Sequence, residues 1–343
     1  MKFPKFPVFF PDATRGLIKS LDTSDIESTK TNGILVNTYH LYKDLGMEFI
    51  KKKGGIKKFM NWQGFVISDS GGFQVGSLIK MNPTKGHVSN NGVLFKPGGE
   101  GQVMLTPEKS IAFQMELGSD MVVVLDDFTD PKATYKEAKE SMERTINWAR
   151  RGKREYEKIC KEKHLSKEKR PYILGVVQGG FHQDLRKYCI EELIKIGFDG
   201  LGYGGWPIND DKSFDYESAK TIADNSPKDY LLYGLGVGKP DEIVRLFKMG
   251  YTIFDCVLPT RDARHGRAYI YDKKTVYKFL DLTKGKMKDD DNPIDPTCDC
   301  LTCTRYSRSY INHLFKTGDF TAGRLVTIHN LRFYSNLMEK LRG

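Results

Sequence analysis

Cys298, Cys300, Cys303 and His329 have the residue types and spacing of a metal site, reading C-x-C-x2-C-x25-H. Three thiolates within six residues can close on one ion from a single tight turn. A histidine brought back by a helix supplies the fourth ligand. Three sulfurs and one imidazole suit a tetrahedral zinc ion, and four protein ligands leave no position open for water. One structural Zn2+ per chain is therefore expected to fasten the C-terminal segment rather than do chemistry. Unrelated buried cysteines beside a chance histidine are the alternative. Half of the chain's 6 cysteines fall in this one short stretch, which favours the metal.

A second set of chemically able residues is more dispersed. Asp69, Asp126 with Asp127, Gln178, Gly204 with Gly205, Gly236 and Asp255 each end a short apolar run. Two carboxylates on opposite sides of a substrate can act as nucleophile and general acid/base at a sugar's anomeric carbon. An amide and bare glycine backbone can hydrogen-bond a planar heterocycle edge-on. Each residue also has a plainer reading. Asp69 precedes Ser70-Gly71-Gly72 and can cap a turn. Asp126 and Asp127 can cap the following helix. Asp255 can pair with Arg261 or Arg264. Convergence of several strand ends on one mouth favours the chemical reading.

The elements needed to position these residues are legible. Eight short apolar runs rich in Val, Ile and Tyr begin with Pro7–Phe10, Ile34–Asn37, Phe65–Asp69 and Met121–Asp126. Tyr172–Gln178, Gly200–Gly205, Tyr230–Leu235 and Thr252–Val257 complete them. Such runs suit strands buried on both faces of a parallel sheet. Helical patterns lie between most of them. Thr106-Pro107-Glu108 opens one, residues 132–158 form a long amphipathic one, and residues 184–196 end at Gly197. Lys239-Pro240-Asp241-Glu242 opens another. The fold class expected is α/β, a (β/α)8 TIM barrel, with an open doubly wound sheet as the competitor. No G-x-G-x-x-G follows the first run. The whole chain, 1–343, is read as one catalytic barrel domain. Residues 285–330 are read as a zinc-binding insertion after strand eight. His329 is expected at the start of a last helix over 331–341.

The totals narrow the class. The chain has 343 residues, 39% of them hydrophobic, enough for one large core. No run of eighteen apolar residues occurs, so no membrane span is expected. The N-terminus lacks a signal-peptide pattern, and the cysteine usage fits a reducing cytoplasm. A formal charge of +10 suggests a polyanion partner, with a merely well-solvated lysine surface as the plain alternative. Lys51–Lys53, Lys57 and Lys58, with Arg261 and Arg264, are expected to form a phosphate-binding surface at the barrel mouth.

Several segments resemble the tRNA-guanine transglycosylases. They are Asn37-Thr-Tyr-His40, Asp69-Ser-Gly-Gly-Phe-Gln74, Val177-Gln178-Gly179-Gly180, Gly234-Leu-Gly-Val-Gly-Lys-Pro240 and Phe254-Asp-Cys-Val-Leu-Pro-Thr-Arg261, with the zinc motif. The likeness runs in order from about Pro7 to the last helix. It implies a zinc-containing barrel that exchanges guanine at anticodon position 34 of GUN-anticodon tRNAs for a 7-deazaguanine, in queuosine biosynthesis. It implies Asp255 as nucleophile, holding a covalent ribosyl intermediate, and Asp69 as general acid/base. Asp126, Gln178 and the Gly205 backbone match groups that bind the purine-like edge. Phe73 would stack on the base and Leu235 would line its other face. Arg261 and Arg264 match positions near the anticodon nucleotides. A homodimer is implied as well, with the tRNA and the free base as partners.

The chain departs from the bacterial pattern at the pocket that receives the 7-substituent. Phe73 replaces a common tyrosine, Phe128 a small cysteine, and Trp206-Pro207-Ile208-Asn209-Asp210 a Leu-Ala-Val-Gly-Glu type of segment. Bulky walls there predict preQ1 over queuine, with Asp210 near an acidic position that favours a cationic amine. The archaeal C-terminal RNA-binding extension is not found in this sequence, which speaks against the archaeal role at the tRNA core; preQ0, the archaeal base, stays open beside preQ1 and queuine. Alternatives are a transglycosylase acting on DNA, a non-catalytic RNA-binding partner subunit, and a zinc-dependent barrel hydrolase. The presence of both Asp69 and Asp255 argues against the second, and a closed metal site against the third.

Overall fold

The computed structural model describes residues 4–72, 86–95 and 103–343. In chain order its strands are β1 (Val8–Pro11), β2 (Gly33–Asn37), β3 (Phe65–Asp69), β4 (Gly86–Ser89), β5 (Gly92–Phe95), β6 (Val103–Leu105) and β7 (Met121–Val123). There follow β8 (Tyr172–Val177), β9 (Gly200–Tyr203), β10 (Leu231–Gly234), β11 (Ile253–Cys256), β12 (Arg267–Asp272) and β13 (Val276–Asp281). Eight of them form one parallel sheet in the order β1-β11-β10-β9-β8-β7-β3-β2. The sheet closes on itself. Ala13 N–H donates to the Leu35 carbonyl at 2.7 Å and Asn37 N–H to the Thr14 carbonyl at 3.2 Å, joining the end of β1 to β2. The eight strands are those expected from the apolar runs, and the (β/α)8 barrel is the observed fold.

Alternate residues of these strands face inward. Val8, Phe10, Leu35, Phe65, Ile67, Met121, Val123, Leu174, Val176, Tyr233 and Ile253 pack into one buried cluster that plugs the barrel. The lumen is therefore a packed core, and anything above the plug lies at the C-terminal mouth. Helices wrap the outside. Pro107–Leu117 starts at Thr106, whose side chain accepts from Lys109 N–H. Tyr135–Glu162 starts in a capping box of Thr134 and Glu137.

Two antiparallel pieces escape a reading of the apolar runs. β4, β5 and β6 form a three-stranded sheet between β3 and the helix Pro107–Leu117. The turn Asn90-Asn91-Gly92 is its signal, but the strands are short and β4 is half-exposed, so they lack the apolar runs of barrel strands. β12 and β13 form a hairpin after the barrel, with Tyr269 paired to Phe279.

The last helix is also longer than expected. It runs Phe320–Arg342 from an N-cap at Asp319, so His329 lies in its middle rather than at its start. Leu325, Val326 and Ile328 are all buried and continue the apolar face backwards from His329. The expected limit at residue 330 thus falls inside one continuous helix. The neighbouring Asn330 is wholly buried. It accepts from Tyr269 N–H at 3.0 Å and donates to the carbonyls of Pro259 at 2.9 Å and Arg267 at 3.0 Å. This side chain ties the last helix to β12 and to the short helix Leu258–Arg264 that follows β11. Asn330→Ala strands three backbone groups, two of them buried, which should cost about 2–4 kcal/mol. Urea unfolding should show a lower midpoint at an unchanged slope, and an unmoved midpoint would contradict this account.

Candidate active site and metal centre

The inward alternation continues one step beyond the plug. Phe10 is followed by Asp12, Leu35 by Asn37, Ile67 by Asp69, Val176 by Gln178, Tyr233 by Leu235 and Ile253 by Asp255. In strand order, Asp255, Asp12, Asn37 and Asp69 stand on four consecutive staves of the barrel. A parallel barrel thus collects the carboxylates into one layer at its mouth.

Asp255 is buried, with 8% of its surface exposed. Its Oδ1 accepts from the Tyr233 hydroxyl at 2.7 Å and from Gly236 N–H at 2.8 Å. Among the described residues no hydrogen bond engages Oδ2, and neither Arg261 nor Arg264 pairs with the carboxylate. Burial pushes its pKa up to about 6, the two hydrogen bonds limit the rise, and the Asp12 charge adds to it.

Asp69 is held from three sides. Asn37 Nδ2 donates to Oδ2 at 2.7 Å, and the backbone N–H groups of Thr38 and Gly71 donate to Oδ1 at 3.2 and 3.1 Å. The Thr38 hydroxyl donates to its main-chain carbonyl. The turn-capping contact with Gly71 therefore exists alongside any chemical role. Burial raises this carboxyl to about 7 against its hydrogen bonds, and the charges of Asp12 and Asp255 add to the rise.

Asp126 accepts from Gln178 Nε2 at 2.7 Å, and the Ser70 hydroxyl lies 3.4 Å from its other oxygen. Burial raises its pKa to about 6. Gln178 is fully buried, and its Oε1 accepts from Thr129 N–H at 3.3 Å. Asp127 turns away to pair with Arg144, and Thr134 caps the helix instead of either aspartate. The chain leaving β9 passes hard against Gln178. A Cβ at Gly204 would lie 2.8 Å from Gln178 Nε2 and 2.6 Å from the Val177 carbonyl. Gly205 has φ of +89°, a conformation that side chains disfavour.

Leu235 is half-buried against the lumen plug. Phe73 lies outside the described residues. Arg261 is exposed, whereas Arg264 is half-buried and donates to the Thr260 carbonyl at 2.8 Å. Arg264 lines a groove of about 380 Å³ with Asp12, Thr14, Arg15, Leu17, Lys19, Val257 and Thr260. Phe128 is half-buried and Trp206 is 46% exposed. Asp210 is exposed on a turn in which Asn209 N–H donates to the Ser213 carbonyl at 2.9 Å.

The lysine cluster is not at the mouth. Lys51–Lys53 end the helix Gly46–Lys53, and Lys57 and Lys58 lie in the helix Ile56–Met60 that leads into β3. Lys57 pairs with Asp120, whose carboxylate also accepts from Val66 N–H at 2.7 Å. Asp120 immediately precedes β7 and Val66 is near the start of β3, so these cations sit at the opposite end of the barrel. Their chain positions complement helix C-termini instead.

Cys298, Cys300, Cys303 and His329 converge, their ligand atoms all within 4.8 Å of one another. His329 Nε2 lies 2.8 Å from the Tyr269 carbonyl, so that nitrogen donates and Nδ1 faces the sulfurs. Nδ1 is 3.2 Å from Cys303 Sγ and 3.9 Å from Cys300 Sγ. A zinc tetrahedron with Zn–S bonds of about 2.3 Å needs donor separations near 3.8 Å. The donors fit a zinc-sized ion, and the carbonyl behind His329 fixes its ring as metal-bound histidines require.

A family model described as queuine tRNA-ribosyltransferase matches residues 4–343. The chain belongs to the queuine tRNA-ribosyltransferase family. The queuine tRNA-ribosyltransferase of Mannheimia succiniciproducens is 38% identical over 337 residues, covering 98% of this chain and 84% of that protein. Those of Psychrobacter cryohalolentis and Haemophilus influenzae (strain PittEE) are 38% and 37% identical, again over 98% of this chain and 85% and 84% of theirs.

Three residues of this family member's site are not evident in the sequence. Asp12 lies just past the first apolar run, and counting by two from Phe10 is the signal that finds it. Tyr233 hides inside a strand. Arg186 is 1% exposed and donates to the carbonyls of Gly180, Val177 and Gly204 at 2.7, 3.2 and 3.1 Å. Its signal is a place on the buried helix face shared with Cys189, Ile190 and Leu193.

Two outcomes follow for this ribosyltransferase-family chain. Cys300→Ala should abolish metal binding at this site, measured by elemental analysis, and lower the melting temperature, because a closed site couples metal binding to folding. A metal-free variant of full stability would rule out a structural role. The raised carboxyls also tie stability to pH. An unfolded aspartate titrates near 3.8 and folded Asp255 at about 6. The folded state therefore holds its proton more tightly, so this stability is intact below about pH 4 and is lost as pH rises through about 6. Asp255→Asn should stabilise by about 1–3 kcal/mol at pH 8 and not at pH 4. Equal effects at both values would contradict burial as the cause.

Proposed function

We propose that this protein is a tRNA-guanine transglycosylase, exchanging guanine at position 34 of GUN-anticodon tRNAs for a 7-deazaguanine. Family membership supports the reaction class. The observation that carries the residue roles is Asp255 and Asp69 in one layer of the mouth, beside the Asp126–Gln178 pair. Asp255 Oδ2 attacks C1′ of the ribose as the bond from C1′ to guanine N9 breaks. Asp69 delivers its proton to the departing guanine. In the second half, the incoming base gives its N9 proton to Asp69 and attacks C1′, releasing Asp255. Asp126 accepts from the amidine edge of either base, and Gln178 and Gly205 N–H face its carbonyl. Phe73 and Leu235 flank the ring, and Arg261 and Arg264 take the phosphates around the exchanged nucleotide. Guanine leaves well when protonated at N7, whereas a carbon there makes the product a poorer leaving group. Exchange then runs one way without ATP.

The Cys3His group would hold one structural zinc, which fastens the segment after β13 and supplies no reaction chemistry. The proposed organisation is a single catalytic domain with a zinc-binding insertion that starts near residue 285 and runs on into the last helix, a homodimer and a cytoplasmic setting. Among the described residues no helix is long and apolar enough to cross a membrane. The incoming base is preQ1 rather than queuine, on the bulk of Phe128 and Trp206, the residues expected to flank the 7-substituent. Exposure of Asp210 weakens the charge part of that argument and leaves the steric part.

Incubation with labelled guanine and total tRNA, and separately with DNA oligonucleotides, tests the reaction and the polymer. Label in DNA alone, or in neither, would overturn the proposal. A protein–tRNA adduct should be trapped on a denaturing gel with the wild type and be missing with Asp255→Asn. Asp69→Asn should lower exchange by about 10²–10⁴. Attack needs Asp255 ionised and departure needs Asp69 protonated. kcat/KM should therefore rise with pH through about 6 and fall through about 7, as apparent values of the coupled pair. A flat profile from pH 5 to 8 would contradict these roles.

A further inference from the structure

The mechanism leaves one carboxylate of the layer unused. Asp12 stands between the nucleophile and the proton carrier in barrel order, β11-β1-β2-β3. The register Phe10↔Asp255 and Pro11↔Cys256 continues to place Asp12 beside Val257, one strand spacing of about 4.8 Å away. The extended backbone persists here, because Asp12 still bridges Leu35 of β2. Its side chain therefore shares the lumen side with Phe10, just above Asp255. Its Oδ1 accepts from both the backbone N–H and the hydroxyl of Thr14, the former at 2.8 Å. That fixes the rotamer. Among the described residues, no hydrogen bond engages Oδ2 and no salt bridge reaches Asp12.

Asp12 also lines the groove with Arg15, Lys19 and Arg264. Those cations suit phosphates, which only accept hydrogen bonds. An unpaired carboxylate among them repels phosphate and can be satisfied only by a donor. The donor that a ribonucleotide backbone offers is the sugar hydroxyl. With C1′ held at Asp255, the 2′-hydroxyl is on the adjoining carbon and within reach of the neighbouring strand.

We propose, resting on the function given above, that Asp12 is a specificity-determining residue whose Oδ2 accepts a hydrogen bond from the 2′-hydroxyl of the sugar whose base is exchanged, selecting ribose over deoxyribose. The test uses two anticodon hairpins, one all-ribose and one with a single 2′-deoxyguanosine at the exchanged position. For the wild type the deoxy hairpin should lose about tenfold to a hundredfold in kcat/KM, the worth of a hydrogen bond to a charged group. For Asp12→Ala the two hairpins should be exchanged at nearly the same, lowered rate. Asp12→Asn, whose single oxygen stays with Thr14 and whose amide nitrogen then stands where Oδ2 was, keeps the loop contact but not the acceptor and should also lose the discrimination. A merely structural Asp12 would slow both hairpins by one factor and keep their ratio, and that outcome overturns the proposal. So does a wild type indifferent to the 2′-hydroxyl. If the wild type exchanges no guanine in the all-ribose hairpin, the proposed function fails instead. Fluorescence anisotropy with the same two hairpins then decides Asp12, a ratio of affinities unchanged by Asp12→Ala ruling it out.

Discussion

Burial of carboxylates above a plugged barrel is the constraint on which the site depends. The lumen cluster from Val8 to Ile253 packs apolar side chains beneath the mouth, and Asp69, Asp126 and Asp255 are buried above it. Their pKa values rise to about 7, 6 and 6. The hydrogen bonds are few enough to keep the rise. A carboxylate with several more N–H donors would fall well below its ordinary value and never carry a proton at neutral pH. Asp69 has Asn37, Thr38 and Gly71, and Asp255 has Tyr233 and Gly236, which orient both groups without overwhelming desolvation. Ionising a carboxyl whose pKa folding has raised costs about 1.4 kcal/mol for every tenfold loss of acidity, and the rest of the core must offset it.

Part of that offset is mechanical and runs from the metal centre. The helix Phe320–Arg342 carries His329 to the cysteines and Asn330 to Pro259, three residues past Cys256. Asp299, within the cysteine turn, pairs with Arg332 of the same helix at 2.6 Å and with Lys30, just before β2, at 3.2 Å. Arg324 of that helix pairs with Asp25 near the chain start. Tyr334 donates to the Gly238 carbonyl at 2.6 Å, in the loop after β10. The cysteine turn thus clamps one helix, and that helix braces β11 and the loop beside it. A metal held there would in this way help set the position of Asp255, the proposed nucleophile.

Much of this is legible in the sequence alone. Eight apolar runs specify a barrel because parallel strands buried on both faces need uniform hydrophobicity. The metal ligands are visible because coordination demands particular residues at particular spacings. Elements half-exposed to solvent are not visible, since β4 and the β12–β13 hairpin mix polar and apolar residues without a long period. Asp12 is hidden because the first apolar run ends at Phe10, short of the strand's true end. The lysines are expected at the wrong end of the barrel because a charge run carries no direction. Only the pairing of Lys57 with Asp120, at the start of β7, locates them.

That relocation changes how the basic charge of +10 bears on a polyanion. The lysine-rich helices at the far end contribute to a diffuse field, which steers association and is screened over about 10 Å at ordinary salt. Local attraction at the mouth falls to Arg15, Lys19, Arg261 and Arg264, set around a layer of aspartates. Fully ionised, that layer would cancel much of their charge where a phosphate must pass. Raised carboxyl pKa values reduce this repulsion, because near neutrality part of the layer is protonated. The same desolvation that would suit Asp69 to its proposed role as proton carrier would therefore help an anionic strand reach the mouth, so that one physical cause would serve both binding and chemistry.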